Sequence, residues 1–197
     1  MAFETASQVH SQCPDNQTLS GNSFNKTLIL GGVRSGKSRL AESLANETGF
    51  GVSYIATAKA EDAEMCERIT THRARRPPNW KLIEEPYKLA STLVEHAAPD
   101  RCLLVECLTL WVTNMLTTED DRVFEYERAG FLSALSAVPG QIILVSNETN
   151  MGVVPMGELS RRFCDNIGAL HQELAQICDR VILTVAGLPH VLKGKPW

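Results

Sequence analysis

The run Gly31, Gly32, Val33, Arg34, Ser35, Gly36, Lys37, Ser38 fits the pattern G-x-x-x-x-G-K-[ST] at every fixed position. Each residue type there has a chemical reason. Glycines let the backbone curl, so that successive N–H groups aim at phosphate oxygens. A helix starting just after the loop adds its positive N-terminal end. Lys37 offers a point charge to β and γ phosphates, and Ser38 offers a hydroxyl to Mg²⁺. A pattern this short recurs by chance, so its context matters. It follows the apolar run Thr27 to Leu30 and precedes the helix formers Arg39 to Asn46, as the binding mechanism demands. A metal would need a second acid. Glu106 closes the apolar run Cys102 to Val105, although Asp is commoner in that role. The plainer alternative for Glu106 is a carboxylate facing solvent.

A second group of residues stands further along. Arg68, Arg73, Arg75 and Arg76 fall within nine residues of a chain whose net charge is −4. Arg pairs with phosphate bidentately and stays charged, so a triphosphate is an obvious partner. The alternative is a solvated helix end, where basic residues suit the dipole in any case. His72 lies inside this cluster. A neutral imidazole nitrogen can attack an α-phosphorus and carry a nucleotidyl group. Nearby arginines would favour the neutral ring and stabilise the departing pyrophosphate. A lone histidine is more often structural, so these residues alone leave both roles open.

The elements that must position these groups follow from periodicity. Thr27–Leu30, Val52–Ala56, Cys102–Glu106, Gln141–Val145 and Val181–Val185 read as strands, the last of these being the final one. Trp80–Ile83 reads as a short edge strand. Helical patterns cover Arg39–Asn46, Ala60–Arg73, Pro86–His96, Thr109–Leu116, Val123–Ala137 and Glu158–Arg180. Asn147–Pro155 reads as a loop. The pair Pro77-Pro78 ends the helix that carries His72 and gives it a place to hinge. Five or six short strands separated by helices predict one α/β domain, residues 25–197. Its sheet is mostly parallel with helices on both faces, as in P-loop NTPases. Loops after the strands then share one edge, where ligands bind.

Bulk composition narrows the classes. Hydrophobic residues are 44% and charged residues 21%, as in ordinary globular chains. The acidic balance argues against general nucleic-acid or membrane-surface binding. No apolar stretch approaches the ~20 residues that span a bilayer. Met1 to Phe24 is polar, lacks a secretory pattern and is expected to be a flexible extension. The six cysteines, at 13, 66, 102, 107, 164 and 178, show no metal or redox spacing and read as reduced, mostly buried thiols.

From about Thr27 onward the chain resembles the bifunctional adenosylcobinamide kinase / adenosylcobinamide-phosphate guanylyltransferase family of cobalamin biosynthesis. The likeness rests on the loop Gly31 to Arg39, Tyr54-Ile-Ala-Thr-Ala58, and Arg68-Ile-x-x-His72-Arg73 with Arg76-Pro77 and Trp80. It continues through Glu106-Cys-Leu-Thr-x-Trp-Val-Thr-Asn114, Val145-Ser-Asn-Glu148 and Met151-Gly-Val-Val-Pro155. It implies phosphorylation of the aminopropanol hydroxyl of adenosylcobinamide by ATP or GTP, then transfer of GMP from GTP to that phosphate. In the family a histidine carries the GMP, and His72 matches it. Implied nucleotide contacts are the phosphate loop, Ala56, Thr57, Ala58, Arg73, Ala74, Arg75, Arg76, Glu84 and Glu106, with Mg²⁺ on Ser38 and Glu106. The resemblance also implies a cytoplasmic homotrimer, while the lack of a wider basic patch and of aromatic RNA-binding motifs argues against a nucleic-acid partner.

The chain departs from the pattern at Thr71, where some relatives carry a second histidine, and at Thr149-Asn150, where a Gly-containing turn is common. Two other readings stay open on residues alone: a monofunctional small-molecule kinase, and a non-enzymatic nucleotide-binding regulator.

Overall fold

The computed structural model describes residues 25–59, 63, 66, 67, 70, 73, 76–118 and 121–195. Strand β1 (Lys26–Gly31) leads into helix α1 (Lys37–Glu47), followed by β2 (Gly51–Ala56) and β3 (Lys81–Glu84). Then come α2 (Leu89–His96), β4 (Arg101–Glu106), α3 (Leu108–Leu116), α4 (Asp121–Ala137), β5 (Gln141–Val145), α5 (Glu158–Ile177), β6 (Arg180–Val185) and β7 (Leu188–Lys193). The seven strands form one sheet in the order β3-β2-β4-β5-β1-β6-β7. All neighbours pair parallel except β6 and β7.

The strands read as near-continuous apolar runs because both sheet faces are covered. Side chains alternate between the two. Leu28, Leu30, Leu103, Val105, Ile142 and Leu144 pack with α2, α3, α4 and α5 around the buried Trp111 and Phe131. Ile29, Cys102, Leu104, Ile143 and Val145 face the other way, onto Ala41 and Ala45 of α1. Alanines at those two helix positions let α1 sit close to the sheet. The helix stops at Thr48, followed by Gly49 at φ 69°, a conformation that glycine adopts without strain.

Three expectations need correction. The pattern starting at Pro86 becomes helical only at Leu89. Glu85 Oε1 instead accepts the amides of Tyr87 and Lys88, each at 2.8 Å, and holds that stretch as a turn. The long pattern Glu158–Arg180 ends at Ile177. Asp179 N donates to Lys26 O, and Arg180 is already paired beside Thr27, so strand pairing overrides helical periodicity. Val181–Val185 is also not the last strand. Ala186 (φ 51°) and Gly187 (φ 82°) form a two-residue turn that returns β7 antiparallel. Its mostly exposed pattern and Pro189 suit an edge and hide it from a search for apolar runs.

The expected edge strand is there as β3. Residues 63, 66, 67, 70 and 73 are helical, in keeping with the pattern from Ala60 to Arg73. The expected extension before residue 25, and the rest of the segment carrying His72, lie outside the described residues.

Candidate active site

Parallel pairing brings the strand ends into line. Ala56 sits beside Glu84 on one side and Glu106 on the other, and Glu106 beside Val145. Neighbouring strands lie about 4.8 Å apart, so residues distant in sequence converge on one edge. The phosphate loop leaves the same edge from the end of β1.

The loop is built for backbone approach. A Cβ on Gly31 would stand 2.4 Å from Thr184 O and 2.6 Å from Ser35 Oγ, so only glycine fits. Ser35 and Thr184 share a hydroxyl contact of 2.9 Å, and Thr184 donates to Leu30 O at 3.0 Å. Gly187 N, in the β6–β7 turn, donates to Ser35 O at 2.9 Å. The loop is thereby fixed from β6. Gly32, Val33 and Arg34 stand exposed at its crown, with Arg34 at φ 56°. Gly36, at φ 102°, starts α1 without a side-chain cap, and the first turn carries no acid. Such a helix end is suited to an anion.

Lys37 is buried, and its ammonium donates to Gly32 O at 2.6 Å. Burial lowers its affinity for the proton, while Glu106 and then Cys107 act in the opposite sense. Ser38 donates to Glu106 Oε1 at 2.8 Å. A hydroxyl and a carboxylate this close form a hard-oxygen pair of the kind Mg²⁺ accepts together with phosphate oxygens. Among the described residues no group of three His, Cys, Asp or Glu gathers to hold a metal. A cation here would depend on this pair and on the nucleotide.

Beside the loop, Thr57 is fully buried. Its hydroxyl donates to Cys107 O and accepts from Cys107 N, both at 2.8 Å. Asn114 donates to Thr57 O at 2.8 Å and to Pro86 O at 3.1 Å. That one amide ties the segment after β2 to the segment after β3. Ala56 and Ala58 flank Thr57, partly open to solvent. On the far side Arg73 reaches Glu84 at 3.1 Å, both side chains exposed. The Arg76 guanidinium lies 4.0 Å from the centre of the Tyr54 ring, and the Trp80 ring centre lies 6.5 Å from it. Arg76 is thus anchored to the sheet by a cation–π contact. His72, Ala74 and Arg75 lie outside the described residues.

Residue patterns alone did not single out the support for this edge. Ser146 Oγ contacts His171 Nε2 at 2.8 Å and Thr109 Oγ1 at 3.4 Å. Thr109 also accepts from Asn147 N at 2.7 Å, and Glu148 N donates to Gly31 O at 3.0 Å. His171 sits mid-way along α5, where helical periodicity gives no hint of its partners.

A family model described as cobinamide kinase / cobinamide phosphate guanyltransferase matches residues 27–192. The chain belongs to that family. It is an enzyme, a transferase of cobalamin biosynthesis, and the non-enzymatic reading falls. Among its relatives is the bifunctional adenosylcobalamin biosynthesis protein CobP of Pseudomonas aeruginosa. It is 60% identical over 171 residues, covering 87% of this chain and 99% of the relative. The similarly named CobU of Salmonella typhimurium is 38% identical over 174 residues, covering 82% and 96%. A solved ATPase from the type III secretion system of pathogenic bacteria shares the fold. Its TM-score is 0.50 at 14% identity, over 85% of this chain and 58% of that one. No helix among the described residues is long and apolar enough to cross a membrane.

Proposed function

We propose that this member of the family catalyses both reactions in its description, the second through His72. In the first, the aminopropanol hydroxyl of adenosylcobinamide attacks the γ-phosphorus of ATP or GTP. A new O–P bond forms, the nucleoside diphosphate leaves, and the hydroxyl proton is released. In the second, an imidazole nitrogen of His72 attacks the α-phosphorus of GTP and pyrophosphate departs. The substrate phosphate then attacks that α-phosphorus, the P–N bond breaks, and adenosyl-GDP-cobinamide is released.

The observation that carries the kinase half is the convergence of Lys37, Ser38 and Glu106 on the loop after β1. Phosphoryl transfer asks little of a protein beyond positioning and charge. Lys37 supplies the fixed charge, the amides of the loop and of α1 orient the phosphates, and Ser38 with Glu106 would hold Mg²⁺. A bound Mg²⁺ would neutralise charge on the β and γ oxygens. The transferase half is supported by the tie between Arg73, the residue after His72, and Glu84 at the same sheet edge. Arg76, on the face of Tyr54, anchors the segment from its other end. The reading includes a cytoplasmic homotrimer, checkable by sedimentation of the purified chain.

Incubation with [α-³²P]GTP and Mg²⁺ is expected to leave acid-labile, base-stable label on the protein. His72→Ala should abolish the label and spare phosphorylation of cobinamide. Equal labelling of the variant would remove the covalent step. Lys37→Ala should lower kinase turnover by several orders of magnitude with the fold intact.

A further inference from the structure

A cleft of about 390 Å³ opens between α3, the loop after β5 and the start of α5. Its apolar lining includes Leu116, Leu159 and Phe163, and its hydroxyls include Thr113, Thr149 and Ser160. None of its described lining residues is charged. The volume falls in the usual range for ligand sites, about 300–1,000 Å³. Above it, Met151, Val153, Val154 and Met156 are 72–97% exposed, an unusual cost for four large apolar side chains in one short loop.

The walls of this cleft are tied to the phosphate site. Helix α3 starts two residues after Glu106, and Thr113 lies roughly 8 Å further along its axis. Thr109 joins the first turn of α3 to Asn147 N. Glu148 N, one residue before Thr149, is bonded to Gly31 O. Asn150 donates to Cys164 O at 2.9 Å and fits over Gly168, where a Cβ would meet its amide at 2.6 Å. The loop after β5 therefore joins the cleft to the loop that would hold the γ-phosphate.

We infer that this cleft is the acceptor site, where the rim of the corrin ring and its neutral amide arms lie while the aminopropanol arm reaches the phosphate loop. This rests on the proposed kinase reading. The chemistry matches on both counts. A broad apolar ring needs an apolar surface, and uncharged amide arms need hydroxyl partners rather than ions. The exposed side chains Met151, Val153, Val154 and Met156 extend that surface beyond the cleft, as a ring larger than the cleft requires. Unbranched Met side chains adapt to such a shape. None of the proposed nucleotide contacts lines the cleft, so the acceptor and the nucleotide do not compete for the same residues.

The test uses the full chain with Ser160→Trp, which fills the cleft from an exposed helix position, and Leu159→Lys, which puts a charge in it. Kinase rates are measured against cobinamide and against ATP, cobinamide binding by equilibrium dialysis, and mass by light scattering. In both variants KM and Kd for cobinamide should rise at least tenfold, KM for ATP should stay within twofold, and mass should not change. Cobinamide constants within twofold of wild type, in a wild type that phosphorylates cobinamide, would overturn the cleft alone. A wild type that binds ATP and leaves cobinamide unphosphorylated would overturn the kinase reading and the cleft with it. A change in mass accompanying the KM effect would assign the cleft to contact between copies of the chain and overturn the acceptor site.

Discussion

The Ser38 hydroxyl lies 2.8 Å from Glu106 Oε1, joining the first turn of α1 to the end of β4 across 68 residues of sequence. The two side chains can close on one cation without rearrangement of the backbone. Ser38→Ala and Glu106→Gln should each lower kinase turnover by about ten- to a thousandfold and raise the Mg²⁺ concentration giving half-maximal rate. Kinase rates over a Mg²⁺ titration decide this. An unshifted titration curve in both variants would take the metal away from this pair.

The phosphate loop should be intolerant of a methyl group at its first position and tolerant at its second. A Cβ on Gly31 would stand 2.4 Å from the backbone oxygen of Thr184, whereas one on Gly32 meets nothing within 4 Å. Gly31→Ala is expected to cost about 1–3 kcal/mol or more in folding stability. Gly32→Ala should stay within about 0.5 kcal/mol of wild type, as surface changes do. Urea unfolding of the two variants side by side measures the contrast, and equal midpoints would contradict the geometry.

Asn114 is a buried amide with two backbone acceptors, Thr57 O and Pro86 O. Asn114→Ala leaves both carbonyls short of a donor, at about 1–3 kcal/mol for a buried orphan. Thr57 is one of the proposed nucleotide contacts, so the Kd for GTP should rise together with the loss of stability. Calorimetric titration of the folded variant separates the two effects. Unchanged GTP affinity would leave Asn114 a purely structural residue.

His171 gives the chain a dependence on acid. Burial lowers its proton affinity below the ordinary value of 6.5, and Glu148 opposes this in part. Above pH 6.5 the ring is neutral in folded and unfolded chains alike, so it adds no pH dependence there. Below that value the unfolded chain takes up a proton that the folded chain resists. Stability therefore falls as pH drops from 6.5 towards the lowered folded value. The slope from one proton is at most about 1.4 kcal/mol per pH unit. His171→Gln should flatten that part of the profile relative to wild type. Melting temperatures from pH 7.5 to 5 would show it, and parallel profiles would refute it.

Local chemistry determined much of this protein from its sequence. The phosphate loop was legible because each of its fixed residues answers to a phosphate-binding function, and because an apolar strand and a helix flank it. Buried parallel strands were legible because covering both faces makes them continuous apolar runs. Glu106 stood out as a candidate metal acid because it closes such a run. The tertiary structure alone decided the rest. It made Ala56, Glu84 and Glu106 neighbours through strand order, which periodicity does not encode. It turned Asp179 and Arg180 out of the helical pattern, because pairing with β1 satisfies more backbone groups than another half-turn would. It also made His171, Ser146 and Thr109 partners and fixed Gly31 against Thr184. Those contacts join residues far apart in the chain, so no spacing rule announces them.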